Sequence, residues 1–235
     1  MNYYIVGSGE PIILLHGWGG SSVSLINLAK YLAKDFKVVV IDLPGFGKSP
    51  EPKKIYGIKD YGDEIINLMD RLRLERFNLF GHSFGGQIAA KISLDYPDRI
   101  DNLILCAAAI IRKRSWKSYA QIMLAKLIKN TFIKSAFNVL MGNSDYQKAS
   151  LKMRKVMNKI LTEDLADQIS GIEKPTLILW GSKDKITPLW QAQIINKQIA
   201  NSQIKIFPLS RHNLPLVHAR LVANQIKRFT KGTNK

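Results

Sequence analysis

At 235 residues the chain has room for one sizeable α/β domain, and its 46% hydrophobic content is that of a globular protein. No apolar run approaches the roughly 18 residues a membrane span needs. Met1 to Leu15 lacks both the basic start and the small-residue cleavage site of a signal peptide, so a cytoplasmic protein is expected. Thirty-five Lys and Arg against 18 Asp and Glu give a formal net charge of +17. That balance suits an anionic partner such as nucleic acid, membrane lipid or an acidic carrier of the substrate, and it also suits lysines that are merely solvated. The single cysteine, Cys106, has no internal partner for a disulfide and sits in an apolar run, where it reads as a small buried hydrophobe.

In chain order, Tyr3 to Val6 and Ile12 to Leu15 are short β-rich runs separated by the turn Gly7 to Pro11. The second run ends in His16-Gly17-Trp18-Gly19-Gly20, glycine-rich backbone delivered just before a helix capped at Ser21 or Ser22. Such a loop offers a backbone N–H to an oxyanion, and Trp18 is the candidate donor. Lys37 to Ile41 is a continuous β-branched run, read as a parallel strand buried on both faces. It leads into Asp42-Leu43-Pro44-Gly45-Phe46-Gly47-Lys48-Ser49, which fails the phosphate-loop pattern because Asp stands where its first glycine belongs, so Asp42 reads as a turn residue.

Apolar positions from Tyr61 to Leu72 predict a helix, followed by a strand over Phe77 to Phe80 and then Gly81-His82-Ser83-Phe84-Gly85-Gly86. Between a strand and a helix, G-x-S-x-G is a nucleophile elbow. The serine takes a strained backbone, and the flanking glycines are needed because a Cβ there would meet neighbouring main chain. The turn lifts the Ser83 hydroxyl off the sheet and leaves the Phe84 N–H free for an oxyanion. A helix from about Gln87 to Tyr96 and a buried strand from Asn102 to Ala107 follow. Alternation of this kind gives a doubly wound, mostly parallel sheet with ligands at the carboxyl ends of its strands.

From about Ile110 to Ser170 the pattern is helical, which predicts a lid of residues 110–171 inserted into a core of 1–109 and 172–235. Residues 110–170 hold twelve Lys/Arg against four acids. Along Lys152 to Leu161 the basic residues stand opposite Met153, Val156, Met157 and Ile160. Lys152, Arg154 and Lys155 are therefore candidate substrate-binding residues on a cationic docking face, with a solvated amphipathic helix as the plain alternative. The lid methionines Met123, Met141, Met153 and Met157 suggest an acyl pocket. The sheet resumes at Pro175 to Trp180 and ends in Gly181-Ser182-Lys183-Asp184, a helix spans Trp190 to Ile199, and a strand from Gln203 to Phe207 precedes His212. His218 falls in the predicted closing helix.

The order Ser83, Asp184, His212, each after a strand, is the one the α/β-hydrolase scaffold requires of nucleophile, acid and base. From end to end the chain resembles an α/β-hydrolase fold serine esterase: Ile13 to Gly20 resembles the oxyanion loop, Asp42 to Ser49 a family loop, Gly81 to Gly86 the elbow and Gly181 to Pro188 the acid turn. Its short N-terminus, His-Gly-Trp-Gly loop and compact lid are most similar to the biotin-pathway esterases that cleave the methyl ester of pimeloyl-acyl carrier protein.

The resemblance implies a Ser83–His212–Asp184 triad, an oxyanion hole of the Trp18 and Phe84 amides, no metal or other cofactor, and a monomer acting on a free or carrier-bound acyl ester, with an acidic acyl carrier protein as partner. Nucleic acid is not expected, because the basic residues are not interleaved with aromatics in a recognisable module. Departures include Asn213 after His212 and the lack of an additional strand before the first, which would leave the sheet a strand short. His16, His82 and His218 read as loop-shaping or structural. A lactonase, thioesterase or C–C hydrolase, or a receptor on the same scaffold, is the alternative.

Overall fold

The computed structural model describes residues 1–111 and 149–233. Within them lie the strands β1 (Tyr3–Val6), β2 (Glu10–Leu15), β3 (Phe36–Ile41), β4 (Phe77–His82), β5 (Ile100–Cys106), β6 (Thr176–Gly181) and β7 (Ser202–Phe207). They form one seven-stranded sheet in the order β1-β3-β2-β4-β5-β6-β7. The helices are α1 (Ile26–Leu32), α2 (Ile58–Arg71), α3 (Phe84–Asp95), α4 (Leu151–Thr162), α5 (Leu189–Gln198), α6 (Leu214–Val217) and α7 (Ala219–Thr233).

Alternation along each strand sends side chains to two separate cores. Ile13, Leu15, Val39, Leu79, Leu105 and Trp180 join residues of α2, α3, α4 and α5 on one face. Ile12, Leu14, Val38, Val40, Phe80 and Leu179 meet α1 and α7 on the other. Because both faces are covered, the strands carry continuous apolar runs, and this is why they were legible as a doubly wound sheet. Pairing is parallel from β3 through β7. β3 departs from expectation on its outer side, where β1 pairs with it antiparallel. Burial on both faces reports cover from above and below and says nothing of the direction of a lateral neighbour.

The parallel register brings the carboxyl ends of β2, β4, β5, β6 and β7 to one edge, with Leu15 opposite Gly81, His82 opposite Cys106 and Gly181 opposite Phe207. The loops holding Trp18, Ser83, Asp184 and His212 all leave from that edge. Two further differences from expectation are local. The helix after the elbow begins at Phe84 rather than Gln87, and His218 sits at the break between α6 and α7 instead of inside the closing helix.

Most of the predicted lid, with Met123, Met141 and the basic cluster from Arg112 to Lys148, lies outside the described residues. Its last helix, α4, buries Met153, Val156, Met157 and Ile160 and exposes Lys152 and Lys155. The Ser150 side chain caps it by accepting from the Met153 N–H at 3.1 Å. Beyond its other end, Glu163 accepts from the Ile58 N–H at 2.7 Å, at the start of α2, and its carbonyl accepts from Gln87 Nε2 of α3 at 2.9 Å. These bonds seat α4 against the helices that support the elbow.

Candidate active site

Ser83 has φ 53° and ψ −112°, a backbone conformation that costs an L-residue of order 1–3 kcal/mol and persists only where its surroundings enforce it. Here they do. The Ser83 N–H donates to the Cys106 carbonyl at 3.0 Å, and the Ser83 carbonyl accepts from Gly86 and Ala109 at 3.0 Å and from Gln87 at 3.1 Å. The glycines at 81 and 85 are steric requirements: a Cβ at Gly81 would collide with the Gly85 carbonyl, and one at Gly85 would lie 2.5 Å from the Leu15 carbonyl oxygen. Strand, serine and helix therefore pack with no room for side chains at the two positions that the motif reserves.

The structure brings the three sequence-predicted residues into one hydrogen-bonded line. His212 Nε2 lies 2.9 Å from Ser83 Oγ, and His212 Nδ1 lies 2.8 Å from Asp184 Oδ2. Asp184 is buried, with its carboxylate saturated by donors. Oδ1 accepts from the Ile186 and Thr187 N–H groups, each at 2.9 Å, and Oδ2 accepts from Thr187 Oγ1 at 2.9 Å besides His212. Burial by itself would raise the Asp184 pKa, but the His212 bond and charge and the Thr187 donors outweigh it and hold the carboxyl below its ordinary value. An ionised Asp184 facing Nδ1 requires Nδ1 to carry the proton, which leaves Nε2 bare to accept from the Ser83 hydroxyl.

The oxyanion-loop candidate runs alongside. A Cβ on Gly17 would lie 3.2 Å from Ser83 Cβ, and the Trp18 and Phe84 rings meet edge to face at 5.4 Å. Phe84 is the first residue of α3, where an N–H has no partner within the helix. Among the described residues neither the Trp18 nor the Phe84 amide donates to another backbone group. The loop is fixed from behind by His16, whose Nδ1 donates to the Gly17 carbonyl at 2.7 Å while Nε2 accepts from the Leu43 N–H at 3.1 Å. Burial lowers the His16 pKa, so it holds that geometry as a neutral ring.

Asp42, expected to be a turn residue, is a buried hub. It accepts from the Ser22 N–H at 2.6 Å, the Lys48 N–H at 3.0 Å and Asn2 Nδ2 at 2.8 Å, and so ties the oxyanion loop to the loop after β3. Phe46 from that second loop packs 4.8 Å from Trp18, and Tyr61 packs 5.2 Å from Phe84, forming an aromatic wall beside Ser83. Met153 of α4 presses on Gly45 of the same loop, where φ is +88° and a Cβ would meet the thioether. The start of the lid helix is thereby placed next to this wall. Arg154, grouped with Lys152 and Lys155 from the sequence, is half-buried and donates from Nε to the Ala149 carbonyl at 3.0 Å. It does not share the exposed face of the two lysines.

Thr187 is the contact that sequence reasoning missed. Its hydroxyl stands within 3.2 Å of both His212 Nδ1 and the Ala107 carbonyl, in addition to the Asp184 carboxylate. The available signal was a hydroxyl three residues after an aspartate, a pattern in which the side chains bond back to the turn. A surface cavity of about 580 Å³ opens between the start of α2 and the end of α4, lined by Ile58, Lys159 and Glu163 among others, but Ser83, Asp184 and His212 do not line it. Among the described residues no three His, Cys, Asp or Glu side chains stand together as a metal site, and no helix is long and apolar enough to cross a membrane.

The family model for the alpha/beta hydrolase fold matches residues 10–132. The chain belongs to the alpha/beta hydrolase fold family. The fold and the hydrolase class read from the motifs are thus met. A pimeloyl-[acyl-carrier protein] methyl ester esterase of Legionella pneumophila is 28% identical over 242 residues, covering 96% of this chain and 97% of that protein. Among solved structures, a thermophilic esterase from Thermogutta terrifontis superposes with a TM-score of 0.79 at 22% identity, covering 100% of this chain and 94% of the other. The enol-lactonase from Burkholderia xenovorans does so at 0.77 and 23%, covering 98% and 96%. Two differently named activities on one backbone show that the scaffold leaves the substrate open.

Proposed function

We propose that this chain is a serine carboxylic ester hydrolase working through an acyl-enzyme on Ser83, with His212 as base and Asp184 as its orienting acid. The observation that carries the reading is the unbroken line from Ser83 Oγ through both His212 nitrogens to a buried, ionised Asp184. His212 Nε2 takes the hydroxyl proton as Oγ attacks the ester carbonyl, and Asp184 stabilises the imidazolium that forms. The oxyanion develops toward the Trp18 and Phe84 amides, neither of which is committed to a backbone acceptor among the described residues. His212 then protonates the departing alkoxide, and water repeats the cycle on the acyl-enzyme.

The substrate we propose is a carrier-bound acyl ester such as a pimeloyl-acyl carrier protein methyl ester, hydrolysed by a monomer in the cytoplasm under a helical lid of residues 110–171. Three things support it: the name and near-complete coverage of the Legionella relative, the net charge of +17, and exposed Lys152 and Lys155 on the helix that abuts the site. An acidic carrier would meet a basic entrance.

The test is turnover of p-nitrophenyl esters across acyl lengths, of a lactone and of an acyl-carrier methyl ester, comparing wild type with Ser83→Ala. Ester hydrolysis that falls by about 10³-fold or more in the variant is expected. Turnover of the lactone alone would move the chain to another hydrolase class, and no Ser83-dependent turnover on any substrate would sink the enzyme reading.

A further inference from the structure

The residue before the nucleophile, His82, is buried beside the base and takes no part in the relay described above. Its Nε2 lies 2.9 Å from the main-chain carbonyl of His212, and the two imidazoles stand 5.1 Å apart, centroid to centroid. A carbonyl only accepts, so this bond requires a proton on His82 Nε2 and leaves Nδ1 bare. Nδ1 faces the oxyanion loop, where a Cβ added to Gly17 would come within 3.1 Å of it. One side chain thus sits among all three loops that must agree for reaction: its own elbow, the base loop through a hydrogen bond, and the oxyanion loop, whose Gly17 it faces.

The loop it grips is anchored on either side of His212: the Ser210 carbonyl accepts from the Lys183 N–H at 2.9 Å, and the Asn213 carbonyl accepts from the Leu216 and Val217 N–H groups at 3.1 Å. His212 and Asn213 form a turn between β7 and α6, and exposed residues flank His212 on both sides. Leu209, just upstream, has φ 60° and is 71% exposed. The side-chain bonds of His212 to Ser83 and Asp184 fix the ring, whereas among the described residues its own N–H and carbonyl have no backbone partner. A buried side-chain donor from the rigid end of β4 serves the carbonyl instead. We propose that His82 is a positioning residue, one that holds the His212 main chain so that Nε2 stays within reach of Ser83 Oγ, and that it does so as a neutral donor throughout the reaction.

Neutrality matters because His212 becomes a cation when it takes the serine proton, and a charged ring 5.1 Å away would oppose that step. The groups facing His82 are His212, Asp184 and His16. Burial, reinforced by the nearby His212 charge, pushes the His82 pKa down to about 3, so the ring carries no charge near neutral pH. Cys106 is paired with His82 across the sheet, and burial pushes its thiol pKa up, which leaves it uncharged as well.

The proposal rests on the Ser83–His212–Asp184 reading, and its test is chosen to stand apart from ester turnover. The rate at which a fluorophosphonate labels Ser83 reports the serine–histidine pair without needing a substrate. Three variants are compared with wild type at matched folding, judged by melting temperature: His82→Leu, which removes the donor; His82→Gln, whose amide reaches about as far as Nε2; and His82→Asn, whose amide falls short. A misplaced base is expected to slow labelling by roughly ten- to hundred-fold in His82→Leu and His82→Asn, while His82→Gln stays within about three-fold of wild type.

Where esters are turned over, the loss should appear in kcat with KM little changed. Labelling of folded His82→Leu or His82→Asn within two-fold of wild type would overturn the proposal. So would a His82→Gln variant no faster than His82→Asn. Should His82→Leu not fold, the Gln and Asn pair decides alone. Normal labelling with no ester hydrolysis would refute the esterase reading and leave the role of His82 standing.

Discussion

The Ser83 edge of the sheet and the outer face of α4 lie close together and are built on opposite principles. At the edge, Asp184 accepts four hydrogen bonds, Ser83 is held through both its amide and its carbonyl, and a Cβ at Gly81 or Gly85 would strike backbone. On α4, Lys152 and Lys155 stand in solvent with no ion pair among the described residues. One region is over-determined, as electrostatic catalysis requires, since donors that need not move cost nothing at the transition state. The other is free to change without disturbing the fold. On the proposed reading the edge carries the chemistry and α4 the choice of substrate, so the two regions should respond very differently to substitution.

The largest expected effect is at Asp184. Its Oδ1 takes two backbone N–H donors, so in Asp184→Asn the amide oxygen would occupy that side and the NH₂ would face His212 Nδ1. The imidazole would then be forced to carry its proton on Nε2, where it blocks acceptance from Ser83. A fall in kcat of about 10³- to 10⁴-fold with little change in melting temperature is expected. Steady-state kinetics checks it, and a loss under ten-fold would mean that the buried carboxylate does not set the tautomer.

A smaller effect separates the edge from the rest of the molecule by pH. His82 is pushed down to about 3 and His16 is also lowered, both chiefly by burial. Above the ordinary histidine value of about 6.5 neither state binds the proton, and stability is unaffected. Below it the unfolded chain binds protons that the native chain refuses, so stability is lost as pH falls, by up to about 1.4 kcal/mol per pH unit for each histidine. Asp184 and Asp42, held below their ordinary values, add losses of the same sign only at still lower pH. Urea midpoints measured from pH 7.5 to 5 should decline, and less steeply in His82→Gln. A flat profile would show that these rings are charged in the native state.

Much of the edge is legible in the sequence because each part carries its own local reason. Continuous β-branched runs mark strands covered on two faces, and Gly81 of the elbow is demanded by sterics within five residues of chain, although Gly85 answers to the Leu15 carbonyl of the neighbouring strand. What escaped was set by long-range neighbours. Thr187 gains meaning from Ala107, 80 positions away, and from His212, 25 away. Asp42 looked like a local turn because the Asn2 and Ser22 donors that make it a hub come from elsewhere in the chain. Met153 was legible as apolar but its seat against Gly45 was not, and Arg154 shared a helical stripe with Lys155 until its bond to Ala149 removed it from the exposed face.

That last distinction sharpens the smallest expected effect. If α4 presents a docking face for an acidic carrier, Lys152→Glu together with Lys155→Glu should raise KM for a carrier-bound ester by roughly three- to ten-fold, with kcat within two-fold, because exposed charges steer encounter more than they hold the complex. A small neutral p-nitrophenyl ester should be unaffected, since it enters without meeting the face. Raising ionic strength toward 1 M, where the screening length shrinks to about 3 Å, should erase the difference between variant and wild type on the carrier substrate. Arg154 is left out of the variant because its half-buried guanidinium is bonded within the helix start, and its loss would mix packing with charge. An equal KM increase on both substrates would assign the two lysines to the seating of the lid, and no change on either would leave them as solvated surface and return the question of carrier recognition to other parts of the chain.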